Sequence, residues 1–162
     1  GYYQSVVVVR ADDPRDELQG FDCATLAYNE PLSQSGWAAA ATAGTKAGIR
    51  FGPRIRTGGH RQSVCHVAAA RADIAFVDAV TWRDICRYEP DLVAPLRALG
   101  HTAPTPGLPY IAAATADTGQ VAGAVETAIA GLEAVDRDAL GIVGFVRFAP
   151  ADYQALAIPA AP

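Results

Sequence analysis

The sequence predicts an α/β fold with a mainly parallel sheet flanked by helices, and three observations carry this prediction. Strand-like and helix-like segments alternate along the chain. The stretch ADIAFVDA (72–79) is apolar without alternation, which is typical of a strand buried on both faces of a parallel sheet. Four consecutive valines, Val6–Val9, predict a second strand of this kind near the start of the chain.

The first predicted strand, Ser5–Arg10, is followed by a short helix in DDPRDELQGF, which Gly20 closes. CATLAY predicts the next strand, and SQSG opens an alanine-rich helix that runs to about Lys46 and ends near Gly48. The remaining predicted elements are strands at 54–57, 72–79, 96–101, 110–114 and 143–148, helices at 60–71, 81–88 and 118–133, and a last turn at 152–156.

Three prolines, Pro104, Pro106 and Pro109, fall within residues 103–109. Clustered prolines make stiff, extended chain, which suits a crossing between two lobes. We therefore expect a complete α/β lobe at 6–102, a Pro-rich crossover at 103–109 and a second piece at 110–162.

Composition and charge exclude several classes of function. A net charge of −4 over 162 residues argues against nucleic acid as a partner, since phosphate backbones are held by clustered Lys and Arg. No apolar run approaches the roughly 20 residues that span a bilayer, so the chain is not expected to be membrane-embedded. The three cysteines form no CxxC pair, and His66 and His101 lie in no ligand-spaced cluster, so neither a metal site nor a cofactor is predicted.

Two helix starts follow predicted strands and carry small polar residues. The first is Ser33-Gln34-Ser35-Gly36, and the second is Thr57-Gly58-Gly59-His60. A helix N-terminus attracts anions through its free N–H groups, hydroxyls add donors, and glycine permits close approach. Asp78, at the end of another strand, could accept a hydrogen bond from a hydroxyl, a protonated oxyanion or His60. Both helix starts should face one edge of the sheet, which predicts an anion site there.

Two alternatives to anion binding stay open at this point. Serine is a preferred N-cap, and aspartate before a helix needs no further role. A hydrolase trio is thinkable from Ser33 or Ser35 with His60 and Asp78, but the stretch lacks the leading glycine of a G-x-S-x-G nucleophile elbow. Hydroxyls crowded at a helix start suit static anion binding better than a single nucleophile.

An ordered set of motifs resembles the periplasmic substrate-binding proteins of phosphate, phosphite and phosphonate ABC transporters. That family shows a Y-x-S strand, a DLxG segment, S-x-S-G and G-x-H helix starts, an aDia-x-D strand and a Pro-rich P-x-x-P return. The matching positions here are Tyr3 to Ser5, Glu17 to Gly20, Ser33 to Gly36, Gly58 to His60, Ala72 to Asp78 and Pro106 to Pro109.

The resemblance implies a type 2 periplasmic-binding-protein fold with one full lobe plus part of a second, whose N-terminal part is expected to be absent. It implies a periplasmic protein that binds a small oxyanion without chemistry, closes two lobes on it and delivers it to an ABC permease. The ligand-binding residues that follow are Tyr3, Ser33, Gln34, Ser35, Gly36, His60 and Asp78.

Further expectations qualify this resemblance. Leu108 stands where binders of aminoalkylphosphonates carry an acidic residue, which favours phosphate, phosphite or a plain alkylphosphonate. An incomplete lobe leaves self-association open. The opening GYYQSVVVVR shows no signal peptide, which leaves a cytoplasmic location open too. The alternatives are a ligand-sensing domain of the same fold in a regulatory system and, less favoured, a Ser/His hydrolase.

Overall fold

The structure, a computed structural model, describes residues 1–156 and 159–162. The chain divides into two compact units. The sheet unit comprises Tyr3–Thr105 together with the end of the chain, and the helical unit comprises Gly1–Tyr2 and Pro106–Ala155. Two short strands, β1 (Tyr2–Tyr3) and β7 (Thr105–Pro106), pair as a two-stranded ribbon.

The sheet unit is built on five strands in the order β4-β3-β5-β2-β6. Strand β3 pairs in parallel with β4 and β5, whereas β2 runs antiparallel to both β5 and β6. All strands except β2 therefore point the same way, and the predicted α/β class is confirmed. The strands are β2 (Ser5–Arg10), β3 (Leu26–Tyr28), β4 (Arg54–Arg56), β5 (Ile74–Asp78) and β6 (Leu96–His101).

Strand β2 is buried on both faces, as the run of four valines predicts. Val6 and Val8 pack into one hydrophobic cluster, and Val7 and Val9 pack into the other on the opposite face. Because β2 is antiparallel to its neighbours, its first residue, Ser5, lies opposite Asp78, the last residue of β5. The start of β2 and the carboxyl ends of its neighbours thus meet at one edge of the sheet.

Helices cover both faces of this sheet. The predicted alanine-rich helix begins as a π-helix, Gln34–Ala38, and continues as α1 (Ala39–Ala47), and Gly48 ends it in the left-handed conformation with φ 72°. The sequence did not predict the short helix Pro90–Val93, and the predicted early helix is reduced to a 3-10 helix, Leu18–Phe21. The other helices of this unit are α2 (His60–Ala68), α3 (Ala79–Tyr88) and α4 (Pro90–Val93).

The helical unit contains α5 (Thr118–Ala130), α6 (Ala134–Leu140) and α7 (Pro150–Gln154). The strands predicted at 110–114 and 143–148 are wrong, because both stretches are irregular. A strand needs a hydrogen-bonding partner, and the described residues of this unit offer these stretches none. Both stretches instead line an apolar cavity of about 500 Å³, which includes no residue of the predicted oxyanion site.

A charged cluster closes the opposite end of the sheet unit. The side chain of Asp13, 6% exposed, accepts hydrogen bonds from the Nε of Arg15 at 2.8 Å and from the Arg15 backbone N–H at 3.0 Å. Arg15 also donates to Asp73, whose second carboxylate oxygen accepts the backbone N–H of Thr25 at 2.8 Å. These bonds tie the loop after β2 to the starts of β3 and β5.

We expect Asp13→Asn to lower the free energy of unfolding by about 1–3 kcal/mol at neutral pH, because a charge-assisted bond to Arg15 is lost. The side-chain hydrogen bond from Arg15 lowers the pKa of Asp13 from 3.8 to about 2, so this stabilisation exists above the unfolded value and fades as pH falls towards 2. Denaturant unfolding of both proteins across this range measures the difference. The control is Asp12→Asn, whose side chain is 82% exposed. A constant difference across the range would contradict the prediction.

Candidate functional site

The first helix start of the site follows β3. Ser33 is the N-cap, and its Oγ accepts the backbone N–H of Gly36 at 3.0 Å. The turn is wide, because the N–H of Ala38 bonds to the carbonyl of Ser33, five residues back, at 3.0 Å. π-Turns inside helices are rare and are frequent at functional sites. Gln34 and Ser35 occupy the first two positions of this turn.

The second helix start follows β4, and two hydrogen bonds from its lead-in fix it to β3. The backbone N–H of Thr57 bonds to the carbonyl of Tyr28 at 2.9 Å, and that of Gly58 bonds to the carbonyl of Asn29 at 2.9 Å. Gly58 has φ 86°, which a side chain would disfavour. His60, the first residue of α2, directly follows this lead-in. The hydrogen bonds of Thr57 and Gly58 therefore also fix where the His60 ring begins.

The two helix starts meet through their side chains. The Oγ of Ser35 and the Nε2 of His60 are 2.8 Å apart, and the Nδ2 of Asn29 lies 3.4 Å from the same Nε2. The Oγ of Ser5, a side chain 2% exposed, donates to the carbonyl of Ser35 at 2.7 Å. Ser5 therefore holds the backbone of the first helix start from the edge of the sheet.

Asp78 supplies the negative charge at this edge. Its Oδ1 caps α3 by accepting the backbone N–H of Thr81 at 2.9 Å. Burial lowers the pKa of the His60 imidazole, and the charge of Asp78 acts in the opposite direction. Burial raises the pKa of Tyr3, a hydrogen bond with Thr105 opposes the rise, and Asp78 adds to it. Burial therefore favours the neutral form of the His60 imidazole.

The residues predicted from the sequence gather at this one edge of the sheet unit. Ser33 and Ser35 are brought to His60, and Asp78 acts on both His60 and Tyr3. Gly36 has a further reason to be glycine: a Cβ atom there would lie 1.9 Å from the Oδ1 of Asn29.

Two residues were not predicted as part of the site. Asn29 directly follows a strand that leads to the serines, which is the position where ligand-contacting residues collect in α/β sheets. Ser5 lies in the Y-x-S motif, but nothing local in the sequence shows that an antiparallel strand begins at this edge.

Neither a metal-ligand cluster nor a membrane-spanning helix occurs in the described part of the chain. Residues 1–156 and 159–162 contain no group of three or more His, Cys, Asp or Glu side chains that could hold a metal ion. In this same part of the chain no helix is both long and apolar enough to cross a membrane.

Comparison with solved structures shows what this chain is similar to. A protein of Xanthomonas citri, XAC2383, bound to ATP, matches with a TM-score of 0.73 and 18% identity over 96% of this chain and 63% of its own. A binding protein component of an ABC phosphonate transporter from Pseudomonas aeruginosa matches with a TM-score of 0.68 and 17% identity over 86% of this chain and 49% of its own.

PhnD1 from Prochlorococcus marinus, in complex with methylphosphonate, matches with a TM-score of 0.58 and 16% identity over 64% of this chain and 42% of its own. The chain thus spans between 42% and 63% of the lengths of these structures. The similarities confirm the predicted type 2 periplasmic-binding-protein fold for the matched part. A search of curated proteins finds no match.

A family model also matches this chain. The model described as "ABC transporter, phosphonate, periplasmic substrate-binding protein" matches residues 1–156, which is nearly the whole chain. The family resemblance inferred from the ordered motifs is thereby confirmed. The chain belongs to the family of periplasmic substrate-binding proteins of phosphonate ABC transporters.

Proposed function

We propose that this chain is the solute-binding component of an ABC transporter, and that it captures a small oxyanion such as phosphate, phosphite or a plain alkylphosphonate. The observation that carries the proposal is the 2.8 Å approach of Ser35 Oγ and His60 Nε2 where two helix starts meet. Family membership supports the transport role, and the complex of PhnD1 with methylphosphonate supports the class of ligand.

The donors at this edge suit an oxyanion. Free N–H groups at the two helix starts carry partial positive charge, and hydroxyl and imidazole groups add hydrogen-bond donors around them. The Oγ of Ser33 accepts the Gly36 N–H, which leaves its hydroxyl hydrogen available to a ligand. Ser33, Ser35 and His60 are therefore the side chains that we propose contact the ligand. We propose that Tyr3 and Asp78 form the polar rim of the site and limit which other ligands it can bind.

The same geometry argues for binding without chemistry. A serine and a histidine at 2.8 Å have the spacing of a nucleophile and its base, but such a base is normally oriented by a third group. Among the described residues, the Nδ1 of His60 has no hydrogen-bond partner, and Asp78 directs its Oδ1 to Thr81. The orienting contact of a catalytic triad is therefore not made.

Calorimetric titration of the chain with methylphosphonate, phosphite, phosphate and sulfate tests the proposal. We expect heat of binding from at least one phosphorus oxyanion. No binding of any of the four anions would contradict the proposed function. Labelling of Ser35 by a fluorophosphonate probe would instead favour a hydrolase, and we expect no labelling.

A further inference from the structure

The contacts around the Nε2 of His60 define its protonation state in the free protein. The amide Nδ2 of Asn29 faces this nitrogen at 3.4 Å, and an amide nitrogen only donates hydrogen bonds. With the amide turned this way, the ring nitrogen presents its lone pair. The hydroxyl of Ser35, at 2.8 Å from the same lone pair, then donates its hydrogen to it. The one hydrogen of the neutral ring sits on Nδ1.

The amide of Asn29 packs with its Oδ1 against Gly36, where a Cβ atom would approach it to 1.9 Å. Its Nδ2 is thereby turned towards His60. The Oδ1 of Asn29 and the Nδ1 of His60 are both buried without a hydrogen-bond partner among the residues described.

In this protonation state neither Ser35 nor the Nε2 of His60 offers a hydrogen-bond donor to an anion. The only hydrogen of the Ser35 hydroxyl points at His60, so it is not available to a ligand oxygen. The lone pair of His60 would also repel a negatively charged oxygen that approached it. A single proton added to Nε2 removes both obstacles, because the ring then donates to Ser35 Oγ and the Ser35 hydroxyl is free to donate elsewhere.

We propose that oxyanion binding at Ser35 is coupled to the uptake of one proton from solvent by the Nε2 of His60, and this inference rests on the proposed function. No other covalent bond forms or breaks. The Ser35–His60 hydrogen bond reverses its direction, the freed hydroxyl hydrogen turns to the anion, and the imidazolium charge lies beside it. Asn29 acts as a positioning residue that keeps the ring deprotonated at Nε2 until the anion arrives.

The charged surroundings of His60 are consistent with this coupling. Asp78, from the end of β5, is the charged group whose field raises the pKa of the ring, and the backbone of Phe76 raises it too. Asn29 and Ser35 contact the ring as neutral groups. Burial lowers the pKa of His60 in the free protein, and an adjacent anion raises the pKa of the ring. Affinity should therefore rise about tenfold for each pH unit of acidification between the two pKa values, and level off below the lower one.

Calorimetry in buffers of different ionisation enthalpy measures the protons taken up on binding methylphosphonate. Glutamine in His60→Gln keeps a hydrogen-bond donor at this place but does not titrate. This variant should therefore take up fewer protons on binding than the wild type, and its affinity should depend less on pH. The ligand's own protonation is common to both proteins and cancels. His66→Gln, on the same helix, is the matched control and should behave as the wild type.

Nuclear magnetic resonance of the imidazole nitrogens in the free chain gives a test that needs no ligand. We expect a neutral His60 ring protonated at Nδ1 at about neutral pH. A ring protonated at Nε2 in the free chain would overturn the inference, and so would binding with equal proton uptake in wild type and His60→Gln. Absence of binding of any oxyanion would overturn the proposed function and the inference together.

Discussion

Methylphosphonate binding is expected to weaken by about 10- to 100-fold in Ser35→Ala, because one hydrogen bond to a charged ligand is lost. His60→Ala should cost a similar factor, since it removes the hydrogen-bond partner of the Ser35 hydroxyl on α2. Ser33→Ala should also lower the free energy of unfolding by about 1 kcal/mol, because the Ser33 hydroxyl caps the helix. Isothermal titration calorimetry and denaturant unfolding separate these two effects.

The double variant of Ser35 and His60 distinguishes a shared site from two separate ones. Residues in contact show coupling energies of about 0.5–3 kcal/mol, so the combined loss should fall short of the product of the single losses. Thr45→Ala, on α1, and His66→Ala, on α2, are matched controls and should bind as the wild type. Unchanged affinity in Ser35→Ala would move the ligand site elsewhere.

Gly36→Ala is expected to weaken both stability and binding, although alanine is the better helix former. The helix gains about 1 kcal/mol from the replacement, but overpacking costs about 1–3 kcal/mol. The added Cβ would lie 1.9 Å from Asn29 Oδ1 and 3.1 Å from Ser33 Oγ, so the asparagine must leave its place beside His60. We expect at least a tenfold loss of affinity for methylphosphonate and a lower free energy of unfolding.

A compensating variant tests the steric cause of this loss. Asn29→Ala combined with Gly36→Ala makes room for the new methyl group, so the stability lost in Gly36→Ala should be recovered in part, while binding stays weak. Gly100→Ala, in β6, is the control, because nothing lies within 4 Å of the added Cβ. A Gly36→Ala variant as stable as the wild type would contradict the argument.

Much of the sheet unit follows from the sequence because its strands are buried on both faces. The valines of β2 and the apolar run of β5 have no alternation, and both become central strands. The direction of β2 could not be predicted, since a run of apolar residues buried on both faces does not distinguish a parallel from an antiparallel partner. In the helical unit, 110–114 and 143–148 are apolar enough for strands, yet apolar character alone supplies no pairing partner.

The candidate site was predictable to the extent that helix starts after strands are predictable. The serines, His60 and Asp78 all stand at strand–helix junctions, where small polar residues are informative. The role of Asn29 could not be predicted, because it depends on a distance of 3.4 Å to His60, which lies 31 positions away in the sequence. No local pattern encodes which side chains two different helix starts bring together.

The wide turn at Gln34–Ala38 has a consequence for how sequences of this kind can change in length. Trp37, Ala40 and Gly44 are buried, so packing fixes the rotation of the helix about its axis. Each residue in an α-helix turns the chain by about 100°, and a deletion within a regular helix would rotate that face out of the core. A π-turn carries one residue in excess, so this helix start can shorten to an ordinary turn without moving the buried face. Such a deletion would change the ligand site and leave the packing of the core intact.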